Sequence, residues 1–191
     1  MRCELCGLEQ PLARLVVSRG DPKARLMLIG EAPGSLEDEK GLPFVGRSGR
    51  LLDELLNDVG INPSKDIYIT NVVKCRPPRN RRPSKAEIYS YLPWLYQQID
   101  LIDPHIIILL GATAMESVLG LKSAISKVRG KWHFWNGRMT MPLFHPAYLL
   151  RNPSKALGAP IDLTRKDLLT ICNSLNQSPE ELLVMSSLDI N

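Results

Sequence analysis

The sequence lacks the long apolar segments that secreted and membrane proteins carry. No apolar run in its 191 residues reaches the roughly 18 residues of a membrane-spanning helix. The first ten residues, MRCELCGLEQ, contain no apolar core of a signal peptide. Cysteine is also scarce, with four in the chain, and a chain of this length is stable without disulfides. We therefore expect a cytoplasmic protein that makes no contact with a membrane.

Common catalytic and nucleotide-binding motifs are missing as well. The sequence has no GxGxxG and no GxxxxGK[ST], so neither the Rossmann nor the P-loop fingerprint applies. It has no HExxH and no cluster of metal-binding carboxylates. The absence of a GxSxG elbow argues against the common hydrolase chemistry.

The composition is that of an ordinary globular protein, with 44% apolar and 23% charged residues. The net charge is only +4, from 24 basic and 20 acidic side chains, but the charge is unevenly distributed. Residues 74–85 contain six basic side chains and no acidic one. A basic, proline-rich loop of this kind suits a phosphate backbone, although a merely solvated loop has the same composition.

Short apolar runs alternate with helical patterns along the chain. The runs occupy residues 25–29, 67–70, 105–110 and 139–144. This alternation predicts an α/β fold, a three-layer α/β/α sandwich with a central, mainly parallel four-stranded sheet. We expect one domain over residues 1–176 and a loose tail over residues 177–191.

Polar residues stand at the ends of three of the predicted strands. They are Glu31, Asn71 and His145. In an open parallel sheet the ligand binds beyond the carboxyl ends of the strands, so topology alone brings these residues to one rim. Each also has a structural explanation, as a helix cap, an Asx turn and a turn histidine bonded to backbone, respectively. Three such coincidences at one rim favour a functional site.

The cysteines are not expected to form structural disulfides in a reducing compartment. Cys3 and Cys6 are separated by two residues, a spacing that lets both thiolates point at one metal or cluster. Cys172 lies in an apolar helical pattern and is interpreted as a buried core residue.

Three strings carry a family resemblance. They are GEAPGSLEDEKGLPFVGRSGRLLDELL, YITNVVKCRPPRNRRPS and HPAYLLRN, in this order. Together they resemble the three motif regions of the iron–sulfur, family-four uracil-DNA glycosylases, and the resemblance extends from Cys3 to about residue 175. It implies a monomeric hydrolase of base excision repair that flips uracil out of single- or double-stranded DNA. The enzyme would cut the N-glycosidic bond and leave an abasic site.

The resemblance implies a base pocket. His145 matches the histidine beside uracil O2, where a donor stabilises developing negative charge. Asn71 matches the asparagine that reads the uracil edge, because its amide both donates and accepts. Phe44 matches the aromatic residue that stacks on the flipped base, with an ordinary core phenylalanine as the alternative. The other implied substrate-binding positions are Gly30, Ala32 and Gly34.

Two carboxylates are also implied. Glu31 matches the position near the attacking water, where a carboxylate orients the water and offsets positive charge on the sugar. The better-known uracil glycosylases carry an aspartate one position later, where this chain has Ala32. Glu37 matches a side chain that lies against uracil C5 and excludes the methyl group of thymine. A solvated glutamate is the alternative there.

A DNA-binding surface follows from the same resemblance. HPAYLLRN would enter the minor groove, with Leu149 as the wedge that fills the space left by the flipped base. Phosphate contacts would come from the basic loop, from the end of this segment and from a helix start. The implied residues are Ser48, Arg76, Arg79, Arg81 and Arg151.

The family holds a [4Fe–4S] cluster with four cysteines, of which Cys3, Cys6 and Cys75 match three. The fourth position is Tyr91 in this chain. Three outcomes are open: Tyr91 ligates iron, a three-cysteine cluster persists with an outside ligand or with three irons, or the cluster is lost. Retention is preferred because three thiols keep the family's register. The cluster would tie the N-terminus to the basic loop.

Two other functions stay open. A non-catalytic protein that binds uracil or abasic DNA is disfavoured by the presence of both Asn71 and His145. A cluster-dependent redox sensor is the other, for which the missing fourth cysteine leaves room although no partner-domain signature is present.

Overall fold

The computed structural model describes residues 14–175, 177 and 181. The strands are β1 (Arg19–Gly20), β2 (Leu26–Gly30), β3 (Ile67–Asn71), β4 (Ile106–Leu110), β5 (His133–Trp135) and β6 (Arg138–Leu143). The helices are α1 (Ser35–Lys40), α2 (Arg47–Asp58), α3 (Lys85–Ile102), α4 (Ala112–Leu119), α5 (Ile125–Val128), α6 (Pro146–Arg151) and α7 (Pro160–Ser174), and a 3₁₀ turn covers Pro78–Asn80. None of the helices in the described residues is long and apolar enough to cross a membrane.

The strands form one six-stranded sheet in the order β1-β3-β2-β4-β6-β5. β3, β2, β4 and β6 run parallel, which confirms the predicted α/β fold with a mainly parallel sheet. The predicted count of four strands is too low, because β1 and β5 add antiparallel partners at the two edges. These strands are two and three residues long and lie outside the four apolar runs, so the sequence gives little signal for them.

Side chains of the central strands alternate between two buried clusters, one on each face of the sheet. Along β2, Leu26 and Leu28 belong to one cluster, and Met27 and Ile29 belong to the other. The first cluster includes residues of α2, α6 and α7, and the second includes residues of α3 and α4. Helices therefore cover both faces, as the predicted three-layer sandwich requires.

Strand register brings the carboxyl ends of the parallel strands together. The pairing of β2 with β3 places Gly30 opposite Asn71. Beyond the end of β4, the Gly111 N–H still donates to the Leu143 carbonyl of β6, at 2.9 Å. The segments that follow β2, β3, β4 and β6 therefore meet at one edge of the sheet, where ligands bind in folds of this kind.

Candidate active site

A cavity of about 290 Å³ opens at this edge of the sheet. It is lined by predicted site residues from five segments of the chain: Glu31, Ala32, Gly34, Glu37, Phe44, Ser48, Asn71, Arg81 and His145. A second cavity, of about 550 Å³, shares Glu31 and His145 with the first and extends towards Arg151. Topology thus brings together the three rim residues that the sequence singled out.

Asn71 ends β3 and presents a buried amide to the first cavity. Its side chain belongs to a residue that is only 2% exposed, and its Oδ1 has no hydrogen-bond partner within the described residues. A Cβ at the paired Gly30 would lie 2.5 Å from this Oδ1 and 2.5 Å from Cζ of Phe44, so glycine leaves the space open. An unpaired buried acceptor costs about 1–3 kcal/mol, which a ligand that donates a hydrogen bond would offset.

Phe44 forms one wall of the cavity from a constrained turn. It is 6% exposed and adopts a left-handed backbone conformation, with φ of 54°. The Glu37 carboxylate accepts hydrogen bonds from the N–H groups of Val45 (3.0 Å) and Gly46 (2.8 Å), which holds the turn in place. A Cβ at Gly49 would overlap the Phe44 carbonyl, so α2 approaches the turn closely. Glu37 is thus a buried residue of the site, and the alternative of a solvated glutamate is wrong.

His145 caps α6 and keeps one ring nitrogen for the cavity. Its Nδ1 accepts a hydrogen bond from the Ala147 N–H at 3.1 Å, so the proton of the neutral ring lies on Nε2. Burial, assisted by the positive charge of Arg151, lowers the pKa of His145 to about 4. At neutral pH the ring is therefore an uncharged donor through Nε2–H. The predicted turn histidine bonded to backbone and the predicted site histidine are the same structure.

Glu31 follows β2 and lies at the boundary between the two cavities. Thr113, the second residue of α4, donates a hydrogen bond from its hydroxyl to Glu31 Oε2. The sequence analysis missed Thr113, because a threonine inside a helical pattern gives no sign that it reaches another segment. It also missed Asn80, a basic-loop residue with φ of 56° that lines both cavities.

The basic loop is anchored by its own side chains. Arg81 makes a two-point ion pair with Glu87, at 2.8 and 2.6 Å, and Glu87 in turn forms a capping box with Ser84 at the start of α3. These hydrogen bonds, first of all those from Arg81, lower the pKa of Glu87 to about 2. Arg76 donates to Asn80 Oδ1 at 2.7 Å, which connects two turns of the loop. Arg79 and Arg151 are exposed.

Lys74 does not contribute to the basic surface that the sequence suggested. It is only 4% exposed, and its Nζ donates to Thr70 Oγ1 and to the Asn71 carbonyl, both at 2.7 Å. Burial lowers the pKa of Lys74 to about 7. The expectation that all six basic residues of the loop face DNA is therefore wrong for this one, because Lys74 instead supports the backbone of Asn71.

Leu149 does not occupy the position of an exposed wedge. Its side chain is 1% exposed and lies in the cluster that joins α2 and α6 to the sheet. The predicted wedge role is therefore incompatible with this packing. Tyr148, one position earlier, is 38% exposed, and its ring contacts that of Phe144 at 5.0 Å between centroids. One position along a short helix separates a core residue from a surface residue, and the string HPAYLLRN does not reveal that phase.

Only part of the predicted cluster site falls within the described residues. Cys75 and Tyr91 are 4% and 1% exposed and belong to the same buried cluster beneath the basic loop. Cys3 and Cys6 lie outside the described residues. The described residues hold no group of three or more histidine, cysteine, aspartate or glutamate side chains placed to bind a metal ion. The Val16 N–H donates to the Lys74 carbonyl at 2.8 Å, so the N-terminal segment passes beside Cys75.

The low pKa of His145 predicts a loss of stability in mild acid. The unfolded chain binds a proton on this histidine below about pH 6.5, whereas the folded chain binds it only near pH 4, so stability falls as the pH drops through this window. We expect His145 to contribute about 2 kcal/mol to the loss between pH 7.5 and pH 5, measured by urea unfolding. The variant His145→Gln should lose correspondingly less. An equal loss in both proteins would show that the ring is not held neutral.

Comparisons with known proteins agree with this geometry. The sequence pattern of the uracil DNA glycosylase superfamily matches residues 17–169. The chain is 46% identical over 158 residues to a type-4 uracil-DNA glycosylase of Thermotoga maritima, which covers 82% of each protein. It is 43% identical over 160 residues to a type-4 uracil-DNA glycosylase of Saccharolobus solfataricus, which covers 80% of this chain and 74% of that one.

A type-5 uracil-DNA glycosylase of Thermus thermophilus is less similar, at 32% identity over 152 residues, 70% of this chain and 69% of the relative. The predicted resemblance to the family-four enzymes is thereby confirmed. With the family's match spanning most of the sheet and both cavities, the chain belongs to the uracil DNA glycosylase superfamily, among relatives of type 4.

Proposed function

We infer that this chain is a uracil-DNA glycosylase, a hydrolase that removes uracil from DNA during base repair. Membership of the family supports the activity. The observation that carries the mechanism is the buried, unpaired Oδ1 of Asn71 in a cavity that also receives Phe44 and His145. A flipped base is the ligand that offers a flat ring together with donors and acceptors along one edge.

Asn71 selects uracil by its two-sided amide. Its unpaired Oδ1 accepts from uracil N3–H, and its Nδ2 donates to uracil O4. Cytosine presents the opposite pattern, an unprotonated N3 and an amino group, and would leave buried polar groups unpaired. Because a missing buried hydrogen bond is expensive, this one side chain discriminates between the two bases.

Phe44 and Glu37 shape the pocket around the ring. Phe44 stacks on the base, and the left-handed turn that presents it is held by the Glu37 carboxylate. Glu37 also lines the cavity, where it would lie against uracil C5 and exclude the thymine methyl group. Gly30, Ala32 and Gly34 give the base room to approach the backbone.

Bond cleavage uses His145 and Glu31 at opposite sides of the glycosidic bond. The bond's electron pair leaves with uracil, and the negative charge that develops on O2 is stabilised by the His145 Nε2–H. The Glu31 carboxylate orients a water molecule towards C1′ of the sugar and offsets its positive charge. The water oxygen bonds to C1′ and a water proton passes to the carboxylate, which leaves an abasic site.

DNA binding is proposed for the surface around the two cavities. Arg76, Arg79, Arg81 and Arg151 surround the openings and would contact phosphates, and Ser48 at the start of α2 would donate to one. We assign the wedge to Tyr148 rather than to Leu149, because Tyr148 is the more exposed of the two. Every proposed site residue belongs to one chain, which supports a monomer, and we propose that it works in the cytoplasm. Residues 1–176 would form the glycosylase domain and residues 177–191 a tail.

We also propose a [4Fe–4S] cluster held by Cys3, Cys6 and Cys75, with Tyr91 at the fourth position. The support is that Cys75 and Tyr91 share one buried cluster and that the N-terminal segment passes beside Cys75. Thiolates are the ligands that such clusters prefer, and a phenolate also ligates iron. The cluster would fix the basic loop to the N-terminus and takes no part in the hydrolysis.

The glycosylase activity and the role of Asn71 can be tested together. An end-labelled oligonucleotide with one uracil should yield an alkali-labile site at micromolar enzyme, whereas thymine and cytosine controls should not. Asn71→Asp replaces the donor Nδ2 by an acceptor and should lower the uracil rate by about 100-fold or more. Cleavage by the wild type with no loss in Asn71→Asp would remove Asn71 from the selection of uracil. Absence of any cleavage would refute the enzyme.

The wedge assignment predicts a contrast between two neighbouring residues. Tyr148→Ala should reduce uracil removal from double-stranded DNA by about 10-fold and affect single-stranded DNA much less, because only a duplex requires filling of the base stack. Leu149→Ala should instead lower the free energy of unfolding by about 2–5 kcal/mol, as for other buried leucines. If Tyr148→Ala slows both substrates equally, Tyr148 is not the wedge.

Ligation by Tyr91 predicts an effect on iron content that a buried tyrosine elsewhere does not share. Iron and sulfide analysis with EPR should find a four-iron cluster in the wild type and its conversion or loss in Tyr91→Phe. Tyr91→Cys should retain four irons. Tyr68→Phe provides the matched control, because Tyr68 lies in the same buried cluster but outside the proposed ligand set. Full iron occupancy in Tyr91→Phe would exclude ligation by the tyrosine.

A further inference from the structure

We propose that Thr113 is a positioning residue for Glu31, holding the carboxylate in the orientation from which it directs water at the sugar. The proposal rests on the glycosylase function given above and names a residue that the sequence motifs do not contain. Thr113 lies 82 positions from Glu31 in the chain, and its hydroxyl donates to Glu31 Oε2. An ionised carboxylate only accepts, so the direction of this hydrogen bond is fixed.

Glu31 depends on this one contact for its side-chain orientation. Its backbone is held by the pairing of β2 with β3, since the Val73 N–H donates to the Glu31 carbonyl at 3.1 Å. Within the described residues, Thr113 is the only hydrogen-bond partner of the Glu31 carboxylate. A glutamate side chain has several rotatable bonds and loses about 1.5–2 kcal/mol of rotamer freedom when fixed. Thr113 is therefore the contact that selects one orientation.

The position of Thr113 is itself rigid. Thr113 is 3% exposed and stands in the first turn of α4, directly after β4. Gly111, which starts this turn with φ of 91°, is bonded to Leu143 at 2.9 Å and approaches His145 so closely that a Cβ would lie 3.0 Å from the histidine Cβ. The same turn thus fixes Thr113 against Glu31 and packs against the proposed oxyanion donor.

The contact leaves the carboxylate able to act. Thr113 occupies Oε2, and Oε1 has no partner within the described residues, so it is open to a water molecule. Glu31 lines both the cavity that holds Asn71 and the second cavity that extends to Arg151. A sugar attached to a base in the first cavity would lie between the two. Thr113 therefore holds the carboxylate at the junction where the water must be directed.

The test is a comparison of Thr113→Val with Thr113→Ser. Valine keeps the shape and removes the hydroxyl, whereas serine keeps the hydroxyl. With enzyme in excess over a uracil oligonucleotide, we expect Thr113→Val to lower the single-turnover rate by about 10- to 100-fold, with the Kd for DNA changed less than about 3-fold. Thr113→Ser should recover most of the rate. An unchanged rate in Thr113→Val, or an equal loss in Thr113→Ser, would overturn the proposal.

Two controls separate positioning from a structural effect. Thr164→Val removes another buried threonine hydroxyl, one that donates to the Pro160 carbonyl in α7 at 2.7 Å, and should leave the rate unchanged. In a Glu31→Gln background, Thr113→Val should produce little further loss, because its effect acts through the carboxylate. An undiminished loss in that background would mean that Thr113 acts elsewhere.

A crystal structure of Thr113→Val provides a readout that does not depend on activity. We expect the Glu31 carboxylate to leave its position or to occupy several conformers. If the wild type cleaves no uracil, the proposed function fails, but the displacement of Glu31 can still be observed. A carboxylate that keeps its position without the hydroxyl would overturn the positioning role whatever the activity. If Thr113→Val does not fold, Thr113→Ala serves in the same comparison.

Discussion

The parallel pairing of β2 with β3 is the constraint on which the rest of the site depends. It places Gly30 opposite Asn71, and the missing side chain of Gly30 is what allows the Asn71 amide and the Phe44 ring to approach each other. The same pairing fixes the backbone of Glu31, the next residue along β2. A shift of the register would turn every side chain of one strand to the other face and abolish the cavity.

Around this pairing, buried polar groups are matched with one informative exception. Lys74 is bonded to Thr70 and to the Asn71 carbonyl, and Glu37 is bonded to the turn that carries Phe44. These side chains fix backbone, and backbone fixes the pocket. Asn71 Oδ1 is left without a partner inside the cavity, although its own backbone is held from below. Such a group is stabilised when the right base arrives, so recognition and the local cost of folding have the same source.

The sequence allowed the central architecture and the rim of the site to be predicted, for physical reasons that also explain the failures. Buried parallel strands are continuous apolar runs, and the residues after them must share an edge, so Glu31, Asn71 and His145 could be located together. Lys74 and Leu149 were misjudged because residue type does not reveal which way a side chain points in a loop or a short helix. Thr113 was missed because its partner lies 82 positions away.

The distribution of charge between the two cavities matches the chemistry that the site would perform. Around the base, the donors are uncharged: an amide at Asn71 and an imidazole kept neutral by burial and by the Ala147 N–H on its Nδ1. A neutral Nε2–H stabilises an oxyanion without first being drawn to other anions. The carboxylate stands on the sugar side, held by the hydroxyl of Thr113. Negative charge on the base and positive charge on the sugar would therefore each face a group suited to it, and this arrangement exists before DNA binds, so little reorganisation is required in the reaction.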